Sequence, residues 1–190
     1  MTALKIGIIL ASTRPGRRGD QVANWVLEQS SRRTDATYEL LDLAAFALPQ
    51  LDEELPPARG TYANEHTKAW SAQVDRFDAF VIVTPEYNHS IPGVLKTALD
   101  FLHREWINKS VGFVSYGFGA GGVRAVEHLR TIVGELQMAD VRQQVAISIK
   151  DDFIGNATLG PMAHHEKALS IMFDQVVSWG TALRGIRESV

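Results

Sequence analysis

A chain of 190 residues, 45% apolar and 22% charged with a net charge of −3, has the size and balance of one globular domain that buries its own core. The mild charge gives no reason to bind nucleic acid or an anionic membrane. Cysteine is absent, which excludes thiol catalysis, disulfides, iron–sulfur clusters and cysteine-held zinc, and leaves no mark of an oxidising compartment.

The opening "MTALKIGIILASTRPGRR" has a short apolar run, with only Lys5 as a basic flank before it and arginines directly after. It reads as a buried first strand over 4–11, not as a secretory leader. No window approaches the roughly 20 apolar residues that span a bilayer, so the expected location is the cytoplasm. Val22, Ala23, Val26 and Leu27 then mark one face of a helix. A second strand follows at 37–43. "LPQLDEELPPARG" (48–60) reads as a long loop, either simply solvated or overhanging the site or a partner subunit. Residues 62–76 form a weaker helix with Tyr62, Ala69 and Val74 as its apolar points. Strands at 79–84, 110–116 and 145–149 complete the set. Helices between and after them carry the stripes Val94, Leu95, Ala98, Leu99, Leu102, then Val126, Leu129, Ile132, Val133, Leu136, and finally Leu169, Met172, Phe173, Val176 over about 163–186.

The first, third and fourth strands are apolar on both faces, as strands of a parallel sheet covered by helices on both sides must be. Alternation of strand and helix predicts an α/β three-layer sandwich, one domain over 1–190. Five such strands fit the flavodoxin-like order 2-1-3-4-5, in which ligands bind beyond the carboxyl ends of strands 1, 3 and 4.

Three loops meet at that edge. After the first strand, "ASTRPGRRGDQ" offers the hydroxyls of Ser12 and Thr13 and the guanidinium groups of Arg14, Arg17 and Arg18. Gly16 and Gly19 free the backbone to turn N–H groups inward at a helix start, and such a loop suits a phosphate. It lacks the lysine–hydroxyl pair of a Walker loop and the glycines of a Rossmann turn, so a monophosphate fits best. After the third strand, "TPEYNHSIPG" is stiffened by Pro85 and Pro92, with Tyr87 as a flat face and Asn88 as donor and acceptor. It suits the edge of a planar heterocycle, or is a plain turn in which Ser90 or a neighbour caps the next helix. After the fourth strand, "SYGFGAGG" contains G-x-G-x-x-G, but a dinucleotide fingerprint belongs after the first strand. These glycines instead let backbone approach a flat ring.

"ILASTRPGRRGDQVANWV", "VIVTPEYNHSIPGVLKTALDFL" and "KSVGFVSYGFGAGGVRAVEHLR" resemble, in order and spacing, the three signature blocks of the NADPH-dependent FMN reductase family, over roughly two thirds of the chain. That family includes flavin, quinone, azo-dye and chromate reductases on a flavodoxin-like fold. The resemblance implies bound FMN, with Ser12 and Arg14 on its phosphate and Pro85, Glu86, Tyr87 and Asn88 along the isoalloxazine. Ser115, Tyr116 and Gly117 would lie near the pyrimidine end, and Arg17, Gly19 and Gln21 complete the first loop's candidate contacts. Ala11, Arg17 and Gly19 depart from the residues common in the family.

The expected reaction takes hydride from NADPH or NADH to FMN and passes it to a small acceptor: a flavin, quinone, azo dye or metal oxyanion. Both substrates would stack in turn over one ring face, a ping-pong scheme, so no acid–base catalyst is named. His89 is expected to hold its loop by a hydrogen bond. His164 and His165 should diverge on their helix, and no metal site is expected. The rival reading is a flavodoxin-type electron carrier acting through protein partners, which mild acidity disfavours. Ile91, Phe101 and Trp106, with Ile171, Trp179, Ala182 and Ile186 of the last helix, exceed what one sheet covers. They predict a homodimer or dimer of dimers, unless the 48–60 loop covers them.

Overall fold

The computed structural model describes residues 3–189. Five parallel strands, β1 (Leu4–Leu10), β2 (Ala36–Asp42), β3 (Ala79–Pro85), β4 (Ser110–Gly117) and β5 (Ala139–Ser148), form one sheet in the order β2-β1-β3-β4-β5. Every residue of β3 and β4 is buried, which matches their apolar runs. The edge strand β5 starts at Ala139, well before the apolar "VAISI". Its first half, "ADVRQQ", is mostly polar and half-exposed, with Val141 alone fully buried, because helices cover an edge strand only in part.

Alternate residues of each strand feed two cores. On one face Ile6, Ile8, Leu10, Val81, Val83, Val114 and Tyr116 pack against α1 (Gly19–Ser30) and α7 (Ala163–Glu188). On the other, Ile9, Phe80, Ile82, Val111 and Phe113 meet α3 (Glu65–Asp75), α4 (Gly93–Asp100) and α5 (Val123–Glu135). The sandwich is therefore α/β with three layers, as the alternating pattern predicts.

Two expectations on the second face are corrected. In α3 the apolar anchor is Trp70, fully buried with its indole Nε1 donating to Ala98 O at 2.8 Å, whereas Ala69 is exposed. Lys109 ends that helix: its ammonium donates to Val74 O at 3.1 Å and Asp75 O at 3.4 Å, and burial lowers its pKa to about 8. Phe101 and Trp106, expected to await a partner subunit, are fully buried. Beyond α4 the chain turns inward, and the Trp106 ring packs edge-on against Phe80 at 5.1 Å while donating to Leu99 O at 3.1 Å.

Four short elements carry no periodic signal. Asp42 accepts from Ala44 N at 3.0 Å and caps the four-residue α2 (Leu43–Phe46). After β5 come α6 (Ile149–Asp152) and a small antiparallel hairpin, β6 (Phe153–Ile154) and β7 (Thr158–Leu159). The 48–60 loop lies on the α4 side, where Leu48, Pro49 and Gln50 border Gly93, Val94 and Thr97. It does not reach α7, which covers the opposite face.

Candidate functional site

The carboxyl ends of β1, β3 and β4 lie side by side, with Leu10 paired to Val83 and Pro85 to Tyr116. The three loops leaving them surround a cleft of about 250 Å³ lined by Arg14, Arg17, Arg18, Pro85, Glu86, Tyr87, Tyr116, Gly117, Phe118 and Ile149. A larger depression, about 430 Å³, sits among Leu4, Asp35 and Arg184 at the amino end of the sheet, the edge that α/β folds do not use for ligands.

The first loop is held from below. Arg17 donates through Nη1 to Asp42 Oδ1 at 2.8 Å and through Nη2 to Asp42 Oδ2 at 2.5 Å, a bidentate pair. Its Nε reaches Asp20 Oδ1 at 2.9 Å, and Nη1 also donates to the Ser12 carbonyl. Arg17 therefore commits its guanidinium to the protein, and its hydrogen bond to Asp42 raises its pKa further. Burial works against ionisation of Asp42, but the bonds from Arg17 and Ala44 N–H outweigh it and keep its carboxyl below the usual range. Arg14 is different: its carbonyl accepts from Arg17 N at 3.2 Å, but its exposed guanidinium makes no hydrogen bond or ion pair among the described residues. The start of α1 has no side-chain cap; Gln21 N and Val22 N donate to the Arg18 carbonyl, while the Gly19 and Asp20 amides have no acceptor among the described residues.

Ser12 is fully buried, and its Oγ lies 3.0 Å from the Tyr87 hydroxyl, tying the first loop to the second. The second loop is a tight hairpin tip. Tyr87 and Ser90 exchange N–H···O bonds of 2.9 and 3.0 Å, and Asn88 and His89 take φ of 50° and 65°, as a type I′ turn requires. That geometry leaves both side chains exposed. Among the described residues His89 makes no side-chain hydrogen bond; the loop is held instead by His128 Nδ1, 2.9 Å from Ser90 Oγ. Ser90 does not cap α4, which begins after Pro92 without a side-chain cap. The Glu86 carboxylate accepts from Arg124 N at 3.2 Å and Arg124 Nε at 2.6 Å, holding the start of α5.

The third loop folds back on its own strand. A Cβ on Gly122 (φ +80°) would fall 2.8 Å from Ser115 Cβ, and one on Gly117 2.9 Å from Gly122 N. Ser115 Oγ donates to Gly121 O at 2.7 Å inside this fold-back, so its hydroxyl faces the loop and not the cleft. The glycines thus serve close backbone packing. A Cβ on Gly19 would stand 2.6 Å from the Tyr116 hydroxyl, so helix α1 starts directly on that ring. Tyr116 is 4% exposed and its hydroxyl has no hydrogen-bond partner among the described residues; burial, and then the neighbouring Tyr87, raise its pKa. An orphaned buried hydroxyl, an uncapped helix start and an unpaired Arg14 on one edge make a site that fits a polar, anionic ligand.

Gln21 faces elsewhere. Its Nε2 donates to Ala157 O and its Oε1 accepts from Leu159 N, both at 2.8 Å, while Arg18 Nε donates to Asn156 O at 2.8 Å. Together they clamp the β6–β7 hairpin against the first loop. Asp42, Phe118, Ile149 and this hairpin were not singled out from sequence. Asp42 had a signal: an acid ending the strand beside β1, opposite an arginine-rich loop.

The expected divergence of His164 and His165 is also corrected: their rings lie 3.9 Å apart, and with Asp152 their ligand atoms fall within 4.8 Å of one another. His165 Nδ1 accepts from Met162 N at 3.1 Å, which places its proton on Nε2, 3.4 Å from Asp152 Oδ2. That tautomer leaves no lone pair for a metal, and the pair joins α7 to α6.

A sequence model of NADPH-dependent FMN reductases matches residues 4–152. An NAD(P)H-dependent FMN reductase of Schizosaccharomyces pombe is 38% identical over 167 residues, covering 87% of this chain and 83% of its own. A quinone reductase of Escherichia coli K12 is 32% identical over 137 residues, 68% of this chain and 69% of its own. The fold of the flavoenzyme NAD(P)H:(acceptor) oxidoreductase from Paracoccus denitrificans superposes with a TM-score of 0.72 at 18% identity, over 95% of this chain and 98% of that one. With the three loops in place on a 2-1-3-4-5 sheet and the match running from β1 through α6, the chain belongs to the NADPH-dependent FMN reductase family.

Proposed function

We propose that this chain, as one flavodoxin-like domain, binds FMN across the three loops and uses it to carry reducing equivalents from NADPH or NADH to a small acceptor. When bound, FMN supplies a ring that accepts hydride from the nicotinamide and returns electrons to a flavin, quinone, azo dye or metal oxyanion. The single observation that carries the reading is the anion-ready edge at β1: Arg14 without a partner beside the uncapped start of α1. Arg14, the first-turn amides and Ser12 hold the phosphate. Arg17 acts behind them, fixing the Ser12 carbonyl through Asp42. Pro85 and Glu86 present main chain to the ring edge, Tyr87 its aromatic face and Gly117 a flat floor, while Tyr116 gains a ligand partner for its hydroxyl. Asn88, Gly19, Gln21 and Ser115 shape the loops.

Because both substrates meet one open cleft, turnover is ping-pong, and no side chain serves as an acid or base. FMN titration followed by initial rates over both substrate concentrations tests this. Parallel double-reciprocal lines with purified protein alone support it, whereas a chain that turns over only with an added protein partner is a carrier.

The same proposal includes a second copy of the chain on the outer face of α7. Ile171 is 37% exposed, and Trp179 and Ile186 are each 47% exposed, beside an apolar groove formed by Ala139, Trp179, Ala182 and Leu183. Two-fold pairing covers such a face. Light scattering decides it: a mass near 21.0 kDa with FMN bound rejects the dimer. Among the described residues no helix is long and apolar enough to cross a membrane. A cytoplasmic location, supported by the cysteine-free composition, is tested by cell fractionation.

A further inference from the structure

The exposed aromatic at the rim of the cleft has no role in holding the chain together. Phe118 is 67% exposed and belongs to neither core. Its backbone is nevertheless fixed: the Phe118 carbonyl accepts from Lys150 N and from Ser148 Oγ, both at 3.2 Å, which ties the loop tip to α6. The ring therefore stands on an anchored main chain, one residue beyond the floor formed by Gly117. Next to it, Gly119 has open space on its Cβ side, so no neighbouring side chain crowds the position. Across the cleft stands Tyr87, 37% exposed and tied by its hydroxyl to Ser12. Two aromatic faces thus rim one opening, one on each of two adjacent loops.

We infer that Phe118 is a specificity-determining residue that stacks on the planar, aromatic or quinonoid second substrate. The inference rests on the proposed FMN site: with FMN held by the buried lining, the acceptor would meet the exposed side of the cleft. The placement decides between the two rings as partners for Phe118. Pro85, Tyr116 and Gly117 are the buried part of the cleft lining, whereas Phe118 is the exposed aromatic at its edge. A flat apolar acceptor gains a stacking face there. A compact inorganic oxidant such as ferricyanide gains nothing from it.

The test compares a planar quinone with ferricyanide as acceptor for the FMN-loaded wild type and for Phe118→Ala and Phe118→Tyr. Phe118→Ala should raise KM for the quinone about tenfold, the size of one lost aromatic contact, with KM for ferricyanide within about twofold. Phe118→Tyr should restore the quinone value, and FMN affinity by fluorescence titration should stay within about twofold in both variants. Equal shifts for the two acceptors, or none, overturn the inference. So does a loss of FMN affinity large enough to account for the effect, which would assign the ring to the cofactor. A wild type that binds no FMN and reduces neither acceptor overturns the proposed function, and this inference with it.

Discussion

Replacing Tyr116 by Phe should move the stability of the empty protein and its affinity for FMN in opposite directions. The hydroxyl is buried without a partner, so the FMN-free chain bears the desolvation of one unsatisfied polar group, about 1–3 kcal/mol. The stripped variant should therefore melt higher than the stripped wild type, by about 2–4 °C for each kcal/mol gained in a chain of this size. If the proposed FMN site is right, the same oxygen gains a partner on binding, and losing that hydrogen bond should cost about 0.5–1.5 kcal/mol, a two- to tenfold weaker Kd. Thermal denaturation of stripped protein and fluorescence titration of FMN give the two numbers on one preparation. A stripped variant that melts lower, together with an unchanged FMN affinity, would refute the reasoning.

Arg14→Ala removes a charge-assisted bond of about 1.5–3 kcal/mol and should weaken FMN binding about ten- to a hundredfold by titration, with the circular dichroism spectrum unchanged. Asp42→Asn should lower the melting temperature at neutral pH by loosening the Arg17 clamp. Because the folded Asp42 carboxyl titrates below the ordinary carboxylate range, its stabilisation is full from about pH 5 upward, above the unfolded carboxyl's range, and is lost as pH falls through the folded one. The difference between wild type and variant in a melting series should accordingly close in acid and stay constant from about pH 5 upward. His89→Ala and His164→Ala should each keep nicotinamide oxidation within about tenfold, less than the loss of a true general catalyst; a collapse of the flavin-reduction rate with FMN still bound counts against the absence of an acid–base residue.

Strand order and the two-faced burial were legible because β1, β3 and β4 are almost uniformly apolar, whereas a strand wetted on one face alternates polar with apolar residues. The site's three loops were legible for the same reason: the topology dictates which strand ends converge. Side-chain direction within the loops was not. Glu86 and Arg17 have the charges expected at a cofactor edge, yet one holds the start of α5 and the other grips Asp42. Those outcomes depend on partners 38 and 25 residues away. Trp70 is hard to read from the sequence because the buried face of α3 is Thr67, Trp70 and Val74: its first position is polar, so apolar residues alone do not trace the i, i+3, i+7 stripe. The β6–β7 hairpin is too short for periodicity, and Arg18 and Gln21 hold it through backbone groups, which no pattern of side chains reveals. Phe101 and Trp106 looked surplus to α4 because they follow its end, where the chain turns them into the core.

The most direct test of the central claim is the reductive half-reaction alone. FMN-loaded protein is mixed anaerobically with NADPH, and separately with NADH, without any acceptor, and the flavin absorbance is followed in stopped flow. The account predicts full bleaching of the bound FMN by at least one of the two nucleotides, with the colour restored when quinone is added. Bound FMN that stays oxidised with both nucleotides would contradict it.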